Sequence, residues 1–235
     1  MNEMKYLGFV ITQNGLTTDP GKVQAVQSFP IPTNRTELKG FLGLANYYRR
    51  FVKNFSTIAE PLNRLTKKDQ EYEWKQEQTE AFNQIKEKLT QQPVLARANF
   101  QKEFTLYTDA SALGLGAVLA QKGEDQLMHV IAYGSRTTQG AEKNYGATEL
   151  ECLAVVWATE HFRHYLIGRK FRLITDHSAL TSLLKMKEAE GKYARWIMRL
   201  QEYQFDITYR PGWMNQNADA LSRKRKLGNG PRKPV

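Results

Sequence analysis

Near Phe100 the hydrophobic period of the chain changes, and this limits the possible folds more than any other feature of the sequence. Before that point apolar residues recur every three or four positions. Leu38, Phe41, Leu42 and Ala45 form one stripe and Ala81, Phe82, Ile85 and Leu89 another, as in amphipathic helices. After it, short runs rich in β-branched and aromatic residues predict strands over 104–109, 116–121, 129–133, 171–176 and 205–209. A long helix is expected over about 148–166, a shorter one after Leu180, another over 192–203 and a last one holding Ala218 to Leu221. Three strands in succession, then strands separated by helices, fit an α/β mixed five-stranded sheet with helical cover better than a four-helix bundle or a sandwich.

Local signals punctuate the first hundred residues. The Asn14-Gly15 pair tolerates positive φ and predicts a hairpin between about Tyr6 and Leu16. Asp19-Pro20 opens a helix that runs to Ser28, because Asp caps exposed N–H groups and Pro fits the first helical position. Pro30 and Pro32 end it. Asn34 and Glu37 have capping-box spacing ahead of the next helix, a short helix is expected over Ile58 to Leu65, and Lys67 to Glu73 is a loop. The expected divisions are a hairpin over 1–18, a mainly helical region over 19–99, an α/β domain over 100–223 and a basic tail or linker over 224–235.

The 41% apolar and 25% charged residues describe an ordinary folded protein. No apolar run long enough for a membrane span occurs, and the polar start MNEMK is not a signal peptide, so a soluble protein is expected. The single cysteine, Cys152, excludes an internal disulfide and a Cys-rich zinc site, and its helical apolar setting suits a small buried hydrophobe. The net charge of +10 favours a polyanionic partner. Six of the 34 basic residues lie in 223–235 with no acid, so the body carries 28 basic against 24 acidic groups. The basic excess is therefore partly a property of the tail.

Four acids stand where a sheet edge could gather them: Asp109 and Asp176 at strand ends, and Glu151 and Asp219 near the starts of helices. Phosphodiester hydrolysis develops charge on the attacking and leaving oxygens, and two divalent ions about 4 Å apart stabilise both. Hard ions choose carboxylate oxygens, and their charge reverses the repulsion that would otherwise raise the pKa values of clustered acids. Four acids without a Cys or His set favour Mg²⁺ or Mn²⁺ over zinc. Taken singly, each acid has a structural alternative as a turn cap or a helix N-terminal charge.

The stretches FTLYTDASALGLGAVLAQ, NYGATELECLAVVWATEHFRHYLIGRKFRLITDHSAL and YRPGWMNQNADALSR, in that order, resemble the ribonuclease H domain of Ty3/gypsy-type retrotransposon reverse transcriptases. The resemblance implies a ribonuclease H-like fold and a metal-dependent endonuclease that cuts the RNA strand of an RNA–DNA hybrid. It also implies two Mg²⁺ ions, replaceable by Mn²⁺, held by Asp109, Glu151, Asp176 and Asp219. Glu149 is the rival for the second position. The two glutamates lie about 200° apart on a helix, and Glu151 shares a face with Ala154, Val155, Ala158 and Phe162. Spacing to the TDH acid in the family also selects Glu151. His177 is a candidate phosphate contact with an equally plain structural alternative. Cellular relatives carry a histidine shortly before the fourth acid, but 211–218 has none, so that role does not transfer. Gly114 and Gly116 suit close backbone approach rather than a phosphate loop.

The stretches YLGFVITQNGLTTDPGKVQAV, ELKGFLGLANYYRRFVKNFSTIAEPLNRLTK and WKQEQTEAFNQIKEKL resemble the palm end and thumb of the same family. Tyr48, Arg49, Arg50 and Lys53, with Tyr47 beside them, have the residue types to contact a duplex backbone, or else pack and face water. No polymerase acid pair precedes Asp109, so no independent polymerase activity is expected. Partners implied are an RNA–DNA hybrid, polymerase domains upstream, an integrase region downstream and a second copy of the chain, with no membrane. The expected location is the cytoplasm, a virus-like particle or the nucleus. The competing accounts are a noncatalytic nucleic-acid or protein-binding module that kept the fold and an accessory part of a larger reverse transcriptase.

Overall fold

Capping chemistry fixes the helix starts in the first half of the chain. The computed structural model describes residues 3–13, 15–91, 93–176 and 190–209. Strands β1 (Met4–Tyr6), β2 (Phe9–Thr12) and β3 (Gly15–Thr18) form an antiparallel meander, which adds one strand to the expected hairpin. Helix α1 (Pro20–Gln27) begins where the Asp19 carboxylate accepts the Gly21 N–H at 3.0 Å. Helix α2 (Arg35–Tyr47) begins where the Asn34 side chain accepts the Glu37 N–H at 3.0 Å. After α3 (Phe55–Ile58), α4 (Glu60–Leu65) and α5 (Gln76–Thr90), the chain enters the second sheet.

That sheet contains β4 (Phe104–Ser111), β5 (Gly114–Lys122), β6 (Met128–Thr137), β7 (Lys170–Thr175) and β8 (Gln204–Tyr209) in the order β6-β5-β4-β7-β8. The β6-β5-β4 pairs are antiparallel, whereas β7 is parallel to both β4 and β8. Such parallel pairs need crossovers, which helices provide. Helices α6 (Ala147–His161) and α7 (Arg163–Leu166) cross from β6 to β7, and α8 (Gly191–Leu200) precedes β8. The expected single helix over 148–166 is broken at Phe162, which leaves helical geometry with its ring buried. The helix expected after Leu180 and the one around Ala218 to Leu221 lie outside the described residues.

Both faces of this sheet are covered. Leu106, Leu119, Phe171 and Leu173 pack on one side with Val155 and Ala158 of α6 and Trp196 and Leu200 of α8. On the other side Val118 and Tyr133, with Tyr107 and Val130 at the edge, join the core of the N-terminal helices through Phe51, Phe55 and Leu95. The connection 93–99 is tied to both sheets, since Leu95 exchanges backbone hydrogen bonds with Leu16 at 2.7 and 2.9 Å and the Ala96 N–H bonds Val130 O at 2.7 Å.

The shared core predicts that the two halves unfold together. Phe51, only 1% exposed, should cost about 3–5 kcal/mol when replaced by Ala. The loss should lower the midpoint of amide exchange in β5 and of tryptophan fluorescence alike. Two separated transitions in Phe51→Ala, with β5 unaffected, would rule out a shared core.

Candidate active site

Strand register brings two of the four acids to one edge. β4 and β7 are parallel neighbours with Tyr107 opposite Ile174, and Asp109 and Asp176 each follow that pair by two residues. Glu151 comes from the second turn of α6, on the other side of β4. Its Oε1 accepts the Ala110 N–H at 3.2 Å, while its buried Oε2 has no hydrogen-bond partner. At 9% exposure this carboxyl is poorly hydrated. Burial first, then the charges of Asp176 and Asp109, push the Glu151 pKa up to about 8. Asp109 is open to water on one side, yet burial of the rest and the Asp176 charge also raise its pKa, against the opposing pull of Lys53 and the Ala110 N–H.

Glu149 has different work. Its carboxylate takes the Gly146 N–H at 3.0 Å, the Tyr193 hydroxyl at 3.1 Å and the Lys192 ammonium at 2.5 Å. Lys192 and Gly146 together hold its pKa below the usual carboxylate value. It therefore ties the start of α6 to α8, while Glu151 faces the two aspartates. Neither Asp219 nor His177 lies within the described residues. Among those residues no three Asp, Glu, His or Cys side chains are already closed around one point. The orphaned Glu151 Oε2 beside two aspartates is an all-oxygen donor set with unused capacity, the chemistry of a hard divalent cation.

The N-terminal helices also reach this edge. By strand alternation Asp109 shares the face of Tyr107, the face those helices cover. Asp109, Gly116 and Ser135 form one row across β4, β5 and β6. Above that row runs the first turn of α3 with the residues just before it, where the Ser56 N–H donates to Ser135 Oγ at 3.0 Å. A Cβ on Gly116 would stand 2.8 Å from Asn54 Oδ1, and one on Gly114 would stand 3.0 Å from Thr57 Oγ1. The two glycines therefore serve close approach, as their context suggested. Asn54 adopts a left-handed φ of 56°, a conformation Asn tolerates better than most residues. That Asn was the available signal for this turn, and sequence reasoning missed it.

The set Tyr48, Arg49, Arg50 and Lys53 is corrected in part. Tyr48 is 2% exposed with its hydroxyl on Gly8 O at 3.1 Å, so its ring is packed in the core rather than presented for stacking. Arg49 donates to Ser135 O, and Arg50 to the Tyr165 hydroxyl at 3.4 Å, so both lie between the helices and the α/β domain. Half-buried Lys53 is the member whose charge acts on Asp109. Cys152 is buried as expected, and burial pushes its thiol up to about 11.

Residues 99–203 match the family model described as an RNase H-like domain found in reverse transcriptase. The chain is 46% identical over 222 residues to the retrovirus-related Pol polyprotein from transposon 297 of Drosophila melanogaster, covering 94% of this chain and 20% of that protein. It is 39% identical over 226 residues to the transposon Tf2-3 polyprotein of Schizosaccharomyces pombe, covering 94% and 17%. The chain thus spans about a fifth of the length of these curated relatives. A foamy viral protease-reverse transcriptase solved with an RNA/DNA hybrid shares the fold with a TM-score of 0.76 at 21% identity, over 99% of this chain and 31% of that one. The same enzyme solved with dsDNA gives 0.75 at 24% identity, over 90% and 45%.

The acid cluster generates a pH test. With its pKa moved from 4.5 to about 8, Glu151 binds more proton in the folded than in the unfolded chain across that window, so stability falls as pH rises through it. In chelator, Glu151→Gln should lack this decline, and its Tm should gain on the parent between about pH 5 and about pH 8. Parallel Tm curves for the two proteins would refute the crowding of charge at Glu151.

Proposed function

Residues 99–203 are an RNase H-like domain of the kind found in reverse transcriptases, in a chain that resembles part of a Ty3/gypsy-type retrotransposon polyprotein, and from this premise we propose that it hydrolyses the RNA strand of RNA–DNA hybrids. The observation that carries the proposal is the unpartnered Glu151 Oε2 facing Asp109 and Asp176 at one sheet edge. These three residues, with Asp219 as the fourth, would hold divalent cations, Mg²⁺ with Mn²⁺ as a substitute. Bound there, the cations would lower the pKa of water and offset charge on the departing oxygen.

The chain's own groups divide the remaining tasks. The Ala110 N–H holds Glu151 Oε1 and so fixes the rotamer that leaves Oε2 unoccupied. Lys53 supplies positive charge beside Asp109, where a phosphate must approach an otherwise acidic edge. Water attacks the phosphorus, the bond to the 3′ oxygen breaks, and the products carry 5′-phosphate and 3′-hydroxyl ends. Selection of RNA would rest on 2′-hydroxyls and hybrid shape rather than base identity. Within the longer polyprotein, polymerase domains upstream, an integrase region downstream and a second copy of the chain are the proposed neighbours.

The test is cleavage of a labelled hybrid in Mg²⁺, in Mn²⁺ and in chelator. Asp109→Asn, Asp176→Asn and Glu151→Gln should each lose orders of magnitude in rate while keeping the circular dichroism of the parent. Glu149→Gln should retain substantial activity. Binding of the hybrid with no cleavage in either metal would instead favour the noncatalytic module.

A further inference from the structure

A lysine from the N-terminal half of the chain is fixed beside the acid cluster. Gly116 is the cross-strand partner of Asp109, and antiparallel partners lie about 5 Å apart at Cα. Asn54 Oδ1 stands 2.8 Å from where a Cβ on Gly116 would be, so the residue after Lys53 rests directly on that strand pair. The chain around Lys53 has little freedom to leave this place. Phe51, Val52 and Phe55 are each no more than 2% exposed. The Asn54 carbonyl accepts the N–H groups of Thr57 and Ile58, both at 3.1 Å, and the Ser56 N–H is held by Ser135 Oγ. Half-buried Lys53 therefore projects from a backbone anchored on both sides.

Its ammonium is near the cluster without being bound to it. Its charge acts on Asp109 against the effects of burial and of Asp176. Yet among the described residues no ion pair within 4 Å uses Lys53. A fixed cation in such a place has two effects. It offsets the mutual repulsion of the carboxylates, and it repels any divalent ion that arrives among them. A unit charge about 8 Å from a divalent ion costs that ion about sixfold in affinity even at the dielectric of water, and more where the surroundings are drier.

We infer that Lys53 is a built-in counter-cation of the acidic edge, held there by the N-terminal half of the chain and competing with divalent metal for the same carboxylates. Its removal should then tighten metal binding, whereas loss of a ligand or of a packing residue would weaken it. Metal affinity in the RNase H-like domain of residues 99–203 is thus set in part by a residue outside that domain. The inference rests on the reading of Asp109, Asp176 and Glu151 as a cation site.

Calorimetric titration of Mn²⁺ into the full chain, without nucleic acid and at low ionic strength, tests it. Lys53→Gln should bind Mn²⁺ about fivefold more tightly than the parent, with the gap narrowing at high salt. Lys53→Arg keeps the charge and should keep the parent affinity. Lys122→Gln removes the same charge from the exposed far end of β5, six residues and about 20 Å of strand from Gly116, and should change affinity less than about twofold. Asp109→Asn should lose the binding. Circular dichroism checks that each variant is folded. Saturable binding that Asp109→Asn abolishes and Lys53→Gln leaves unchanged or weakens overturns the counter-cation alone, as does a Lys53→Arg protein that behaves like Lys53→Gln. No saturable binding in the parent or in Lys53→Gln would overturn the cation-site reading and the counter-cation with it.

Discussion

The five-stranded sheet has two apolar faces, and neither can be left to water. Leu106 and Leu119 point to α6, while Tyr107 and Val118, their neighbours in sequence, point to the opposite side. The crossover helices are able to cover one face only. Phe51, Phe55 and Leu95 supply the other cover, so the N-terminal helices belong to the core of the sheet as well as to their own. Because Asp109 shares the face of Tyr107, the same packing delivers Lys53 and Asn54 to the acidic edge. The site's electrostatics follow from the hydrophobic demand of β4 and β5.

Glu149 and Glu151 show how helix phase separates two chemically identical groups. Glu149 faces the start of its own helix and finds two donors and a cation, and its charged form is favoured. Glu151 is turned toward the sheet and finds one N–H and two aspartates, and its charged form is disfavoured. A buried carboxylate with an empty oxygen has two remedies, a proton or a cation. Near neutral pH in chelator the proton serves. A site that binds a divalent ion would exchange that proton for metal and recover the ionised form.

Much of this was legible in the sequence because it is local. Asp19, Asn34 and the alternation around Tyr107 act within a few residues, and those elements stand where the sequence puts them. Asp109, Asp176 and Glu151 were expected as a set from strand ends, a helix start and the family resemblance, and the structure brings them to one edge. The job of Tyr48, Arg49 and Arg50 was not legible. Arg49 bonds Ser135, which is 86 residues away, and no local pattern distinguishes a guanidinium that meets phosphate from one that meets a carbonyl across a core. The break at Phe162 was likewise hidden, since the ring belongs to the helical stripe that continues through it.

A polyanion approaching this edge meets three acids, and long-range attraction has to come from elsewhere. The body outside 223–235 has 28 basic against 24 acidic groups, too small an excess to overcome the local repulsion by net charge alone. Placement answers this. Lys53 stands beside Asp109, so positive charge sits directly against the negative edge. Lys53 comes from the turn that precedes α3. Gly114 and Gly116 let the segment that carries Lys53 settle on the sheet, which makes two residues without side chains a condition for the charge pattern.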